Sequence, residues 1–454
     1  MESTAKDPSR MKKKRWLWYL FDVGNSAYAA VVILAVYAAY FKDHVVGGPE
    51  GSRLWGISVG IAMLVVALIS PVLGVIADHT GKKKQFLLYF TSLSVGCTAL
   101  LFFVRKGDIL MGMVFFILAE IGYRGGQVFY NSLLPEVAER GEIGRVSGTG
   151  WAVGLMGGII CLLLVLGLVT LYEGTYVVRV SLVITAVYFA VFAAPLLVWF
   201  RERDRGQALE PGENIFTVAS RRLQRTFRSV RHHREFIKYI AAFLIYNDGI
   251  LMAINFAAIF GVVMFGLDQQ MIILFMILIQ FTSVIGAYVS GWMADRWSSK
   301  LTLVVFLLMM LSTVVGLFMI ESVLGFYILG GVAGLALSSI QAVSRAMVSN
   351  LSPRGRSAEF YGFFAVAGRT SSFIGPTIYG VIAAEAALYF QGQGQRASFL
   401  WFRMLKDGAP LAEQLGQRVA LIPVMLFLVV GLGLLYLVDE QKARQSSAPE
   451  TISS

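Results

Sequence analysis

Six ionisable side chains interrupt otherwise apolar stretches of this chain: Asp22, Glu120, Arg124, Asp248, Arg345 and Arg369. In hydrocarbon each costs about 2.5–3.5 kcal/mol on insertion scales, so each needs a partner or access to water. Their chemistry is complementary. An arginine grips a carboxylate through two parallel N–H bonds, and an aspartate accepts an ammonium group, so a small zwitterion would satisfy both signs. Glu120 and Arg124 stand four residues apart with the acid first, the spacing of an ion pair within one helix. Either they neutralise each other, or Glu120 or Asp22 serves as a proton-coupling group. Asn25, Tyr28, Gln127, Tyr130, Asn131, Tyr246, Asn247 and Gln341 add neutral hydrogen-bonding and aromatic groups on the same stretches. Each of these serves equally well as a ligand contact or as glue between helices.

The elements that must hold these residues are twelve apolar runs of about 20 residues, the length that crosses roughly 30 Å of hydrocarbon. They lie at 16–41, 54–77, 86–104, 109–134, 146–171, 177–200, 237–264, 270–294, 301–320, 323–350, 358–384 and 419–438. The runs are too long and too little alternating for barrel strands. Over 454 residues, 57% hydrophobic and only 15% charged with a mean hydropathy of +0.68, the composition excludes an ordinary soluble protein and excludes disorder over most of the length. The basic start, Lys12-Lys13-Lys14-Arg15, leads into a run too long for a cleavable signal peptide. Cys97 and Cys161 lie inside apolar runs, far from any metal-ligand spacing, so neither a metal nor another cofactor is expected.

A net charge of +11 invites a nucleic-acid reading until the basic residues are placed. With the termini and even-numbered loops on one face, that face holds 27 of the 39 Lys and Arg, and 3 more are intramembrane. The positive-inside rule then puts both termini in the cytoplasm, and a cytoplasmic (inner) membrane is the expected location. The charge is a topology signal with attraction to anionic lipid, and no nucleic-acid partner is expected. Counted from the cytoplasmic edge, Asp22 and Arg345 are about 9 Å deep and Asp248 and Arg124 about 15 Å.

The longest cytoplasmic loop, 201–236, divides an N-terminal set of six spans (1–200) from a C-terminal set (237–440). Within the loop Phe216, Ala219, Leu223, Phe227 and Val230 recur at helical spacing opposite Arg221, Arg222, Arg225, Arg228 and Arg231, the pattern of an amphipathic helix on the inner leaflet or of a plain linker. An insert at 385–417 precedes the last span and carries the apolar patch Phe399 to Phe402, and 441–454 reads as a disordered tail.

The two sets repeat each other. Gly74-Val75-Ile76-Ala77-Asp78 recurs as Gly291-Trp292-Met293-Ala294-Asp295 at an offset of 217, Pro135 as Pro353 at 218, and Gln127 with Asn131 as Gln341 with Arg345 at 214. Duplicated six-span bundles are the architecture of secondary transporters. In Gly74-x-x-x-Asp78-x-x-Gly81-Lys82-Lys83 and its partner Gly291, Asp295 and Arg296, glycine permits close helix approach and the charges sit at a helix end. The cluster reads as a gate between two states, or as a plain stop signal.

Gly74 to Lys84 resembles the loop motif of the major facilitator superfamily, with His79 where arginine is usual and Ser298-Ser299-Lys300 degraded in the second copy. Phe21-Asp22-Val23-Gly24-Asn25-Ser26-Ala27-Tyr28-Ala29, Phe129-Tyr130-Asn131-Ser132-Leu133-Leu134-Pro135, Arg145 to Gly154, Tyr246-Asn247-Asp248-Gly249-Ile250 and Glu359-Phe360-Tyr361-Gly362-Phe363 resemble the signatures of bacterial relatives of the autophagy-related vacuolar effluxers. The resemblance runs over about 15–384 and the last span. It implies an all-α integral membrane fold, with twelve transmembrane helices in two pseudo-symmetric six-helix bundles, and spans one, four, seven and ten lining a central cavity. For the fungal members it implies export of amino acids such as leucine, isoleucine and tyrosine. The expected partners are therefore a small-molecule substrate, membrane lipids and, if coupling is used, protons, with the protein acting as a monomer.

Rival readings are weaker. Gly56-Ile57-Ser58-Val59-Gly60 matches a nucleophile-elbow pattern but lies inside a span, so no enzyme is expected. A phosphate-binding loop is absent from the sequence, which argues against ATP-driven pumping. A lipid or lysophospholipid carrier of the same fold is the serious alternative, and a non-transporting receptor is a more distant one.

Overall fold

The computed structural model describes residues 8–79, 82–138, 143–172, 174–202, 233–351, 372–393 and 408–440, with scattered positions within 214–224 and 360–368. The chain forms α1 (Pro8–Tyr28), α2 (Gly48–His79), α3 (Lys83–Leu100), α4 (Ile109–Ser132), α5 (Ile143–Leu171), α6 (Thr175–Trp199), α7 (Arg234–Phe265), α8 (Gln269–Arg296), α9 (Ser299–Met319), α10 (Val323–Leu351), α11 (Ile374–Gln393) and α12 (Gly408–Tyr436). Among the described residues eleven helical stretches are long and apolar enough to cross a membrane. Helices are the form such sequences must take, because hydrocarbon leaves backbone N–H and C=O groups no partner but each other.

Several boundaries differ from the apolar runs, among them the start of α2, at Gly48 rather than 54. α1 continues through two π-helical stretches, Ala29–Ala35 and Phe41–Val46, so the first span covers Met11–Val46 rather than 16–41. α11 runs on to Gln393 and α12 begins at Gly408, which narrows the expected insert to 394–407, outside the described residues. Polar side chains hid these extensions from a hydropathy reading, yet they are used: Gln414 Nε2 donates to Met264 O at 3.3 Å, and Gln417 Nε2 donates to Ser52 Oγ at 3.0 Å. The amphipathic stretch expected at 216–231 and the tail 441–454 also fall outside the described residues, apart from isolated positions in the former.

Two compact units result, Met1–Gly47 with Val65–Ser220 and Gln269–Leu274, and Gly48–Leu64 with Arg221–Asp268 and Phe275–Ser454. In this division Gly48–Leu64, the first half of α2, falls in the second unit. Its glycines explain this: a Cβ on Gly56 would stand 2.5 Å from Pro376 O and 3.0 Å from Gly380 Cα, so α2 and α11 touch backbone to backbone. Trp55 Nε1 donates to Asn255 O at 3.0 Å, Tyr379 OH donates to Gln417 Oε1 at 3.0 Å, and Arg53 pairs with Glu50 at 3.3 Å and with Glu385. In the first unit, Gln270 Nε2 donates to Val169 O at 3.2 Å, tying the start of α8 to α5.

The repeat is visible as one capping device built twice. Glu202 accepts from Lys83 N (3.1 Å) and Lys84 N (2.5 Å) at the start of α3, while Lys84 Nζ donates to Phe200 O at 3.0 Å. In the second unit Glu440 Oε2 accepts from Lys300 N at 3.0 Å at the start of α9, and Lys300 Nζ donates to Tyr436 O at 2.9 Å and Val438 O at 2.6 Å. Lys83 and Lys300 stand 217 apart, the offset of the sequence repeat. An acid at a helix N-terminus satisfies orphan N–H groups and the helix dipole. Burial raises the Glu202 carboxyl above its ordinary range, opposed by the two N–H bonds. Glu440→Ala is expected to cost about 1 kcal/mol, the size of a lost cap, read as a lower Tm in detergent; an unchanged Tm would remove this role.

Candidate functional site

In the first unit α1 and α5 approach closely because α5 presents glycines to α1. A Cβ on Gly150 would meet Trp18, one on Gly157 would stand 2.7 Å from Val23 Cα, and one on Gly154 would stand 2.6 Å from Asp22 Oδ2. Asp22 is thereby packed away, only 8% exposed, with Asn25 Nδ2 donating to its Oδ1 at 3.5 Å.

α4 joins α1 through aromatics. Trp18 stacks on Tyr130 at 4.4 Å between centroids; its indole N–H donates to Tyr130 O and the Tyr130 hydroxyl donates to Trp18 O, each at 3.2 Å. Tyr28 lies 4.8 Å from Tyr123, ring to ring. On the next turn Arg124 Nε donates to Glu120 Oε1 at 2.8 Å, as the spacing predicts. Glu120 is 1% exposed, whereas Arg124 is 29% exposed and lies 5.2 Å from the Tyr123 ring. Glu120 Oε2 and Tyr28 Oη are both buried, and the Tyr28 hydroxyl and the Glu120 carboxylate interact between α1 and α4. Gln127 is partly exposed and Asn131 exposed.

In the second unit Gln341 Nε2 on α10 donates to Asn247 Oδ1 on α7 at 3.1 Å. Tyr246 shares a 2.7 Å hydrogen bond with Ser344 Oγ, and Tyr239 OH donates to Ser344 O at 2.7 Å. Asp248 is 2% exposed, with its backbone carbonyl 2.8 Å from where a Cβ on Gly375 would stand. Arg345 is exposed. Arg369 lies outside the described residues.

Of the gating motifs, Gly81, the surroundings of Gly74 and the side chains of Asp78 and Asp295 lie outside the described residues. Lys82 is exposed, the Lys83 side chain is buried, Gly291 has open space about it, and the Arg296 guanidinium covers the Trp292 ring at 4.7 Å. Sequence reasoning passed over Glu202, Glu440, Ser344, Asn255 and Gln417. A signal existed for the first two, since each follows the last span of a six-span set and faces a lysine at the repeat offset. The others are common polar residues that only packing distinguishes.

Long apolar helices with ionic groups inside them make this a multi-pass membrane protein, and its family match over residues 55–388 and its MFS-type relative make it a transporter of the major facilitator type. The fold matches a bacterial homologue of the human lysosomal transporter Spinster, solved in an inward-facing, unoccupied conformation (TM-score 0.70, 16% identity, 99% of this chain and 100% of that one). It also matches a mutant of the nucleoside transporter NupG (TM-score 0.70, 10% identity, 93% and 99%). In sequence the chain is similar to the uncharacterised MFS-type transporter YxiO of Bacillus subtilis, 26% identical over 385 residues that span 82% of this chain and 89% of YxiO. It is similar as well to autophagy-related protein 22 of Coccidioides immitis, 22% identical over 410 residues covering 72% and 67%. Residues 55–388 match the family described as vacuole effluxer Atg22 like, and the chain belongs to that family.

Proposed function

We propose that this protein is a secondary active transporter that exports small zwitterionic solutes, amino acids foremost, across the cytoplasmic membrane by rocker-switch alternating access, with both termini in the cytoplasm. The observation that carries the reading is the set of ionic groups inside the spans of each unit: Asp22, Glu120 and Arg124 in the first, Asp248 and Arg345 in the second. Such groups are retained in a membrane at a cost of a few kcal/mol each, which a transported polar solute or a coupling proton explains. The family's description as vacuole effluxer Atg22 like supports export. Glu120 and Asp22 are the candidate proton carriers, and Asp78 with Lys82 and Lys83 the candidate gate. The protein acts as a monomer and carries out no chemistry on its substrate.

The test is counterflow in proteoliposomes made with the purified protein, using leucine, isoleucine and tyrosine beside a panel of lysophospholipids. Amino-acid exchange is expected, and movement of the lysophospholipids is not. Lysophospholipid movement with no amino-acid exchange would overturn the reading in favour of the lipid carrier.

A further inference from the structure

The sequence offers both signs of charge for a zwitterion, but the structure exposes only one of them. Among the described intramembrane groups the acids are buried, Asp22 at 8%, Asp248 at 2% and Glu120 at 1%, while the arginines are accessible, Arg124 at 29% and Arg345 exposed. Gly154 lies directly against the Asp22 carboxylate, and Gly375 packs on the Asp248 backbone.

Arg124 is held for a task. Its Nε is fixed by Glu120 Oε1 at 2.8 Å, and among the described residues its two terminal amino groups have no hydrogen-bond partner, so the outer edge of the guanidinium remains open. At roughly 100° per residue, Glu120, Arg124, Gln127 and Asn131 fall on one stripe of α4. Gly122, Gly125 and Phe129, which pack on Phe90 and its neighbours in α3, fall on the opposite side. Leu110, Val114 and Leu118, the exposed apolar residues of α4, lie about a third of a turn from the polar stripe, so that stripe is not the face suited to lipid.

We propose that the solute is recognised through an anionic planar group, a carboxylate, seated bidentately on the terminal amino groups of Arg124 with Gln127 beside it. Glu120 is a positioning residue that orients the guanidinium, and the solute's ammonium group is dispensable for recognition. This inference rests on the transport reading above and narrows its substrate class: carboxylates without an amine are ligands, and amines without a carboxylate are not.

Leucine counterflow is measured against 4-methylpentanoate, which is leucine without its ammonium, and 3-methylbutylamine, which is leucine without its carboxylate. The acid is expected to inhibit with a constant within about tenfold of leucine's own, and the amine to be at least about a hundredfold weaker, as for loss of a bidentate charged contact. Arg124→Lys, which keeps the charge and loses the fork, is expected to raise KM for leucine about ten- to a hundredfold. Glu120→Gln is expected to raise KM more than it lowers the maximal rate, a split that a merely structural role would not give. Inhibition by the amine and not the acid, or equal inhibition by both, overturns the proposal. Should wild type exchange no amino acid, the transport reading fails separately, and binding decides this inference. Thermal stabilisation of the detergent-solubilised protein by 4-methylpentanoate and not by 3-methylbutylamine upholds it, and stabilisation by neither or by the amine overturns it.

Discussion

Arg124→Gln is expected to destabilise the protein by about 3–5 kcal/mol, whereas Glu120→Gln costs clearly less and the double replacement falls near the milder single one. The asymmetry follows from burial. Without Arg124 the Glu120 carboxylate, 1% exposed, loses the one ion pair it makes among the described residues. Without Glu120 the guanidinium is still 29% exposed and can be hydrated. A double-mutant cycle on the detergent-solubilised protein, read by thermal unfolding at fixed pH and detergent, measures the coupling. Equal losses from the two single replacements, or additive losses in the double, would remove the pair as a unit.

Gly56→Leu should prise α2 from α11, at a cost of about 3 kcal/mol from overpacking and the hydrogen bonds it carries away. Its Cβ would meet Pro376 O at 2.5 Å, Gly380 Cα at 3.0 Å and Gly380 N at 3.3 Å, all backbone atoms with no rotamer to yield. As the helices part, the Trp55 to Asn255 and Ser52 to Gln417 bonds are strained together. Gly96→Leu on α3 is the control, because nothing lies within 4 Å of the Cβ it would add. Comparable losses of Tm in the two variants would mean that lost helix packing as such, and not the seam, sets the effect.

The glycines of the α2 seam illustrate what a linear reading misses. Gly56 and Gly60 bracket a serine and so imitate a nucleophile elbow, yet their spacing of four places them on one helix face, where they seat against Pro376, Thr377 and Gly380. Sequence spacing showed that Gly56 and Gly60 share a side of α2; it held no information on which helix, more than 300 residues away, would lie against that side. Glu120 and Arg124 are the opposite case. An i, i+4 contact is fixed by the helix itself, so the pair was legible before any packing was known.

By itself the sequence determined the membrane class, the helices, the internal repeat and the ion pair on α4. All of these depend on local composition or on periodicity, which hydrocarbon enforces by compelling each segment to satisfy its own backbone. Only the tertiary structure decided that the first half of α2 packs with the second unit, that Glu202 and Glu440 cap α3 and α9, and which intramembrane charges are exposed. Exposure depends on contacts between residues distant along the chain. Asp22 reads the same as Arg124 in a hydropathy profile, as a charge in an apolar run, until α5 packs against Asp22 at Gly154 while Arg124 keeps 29% of its surface exposed.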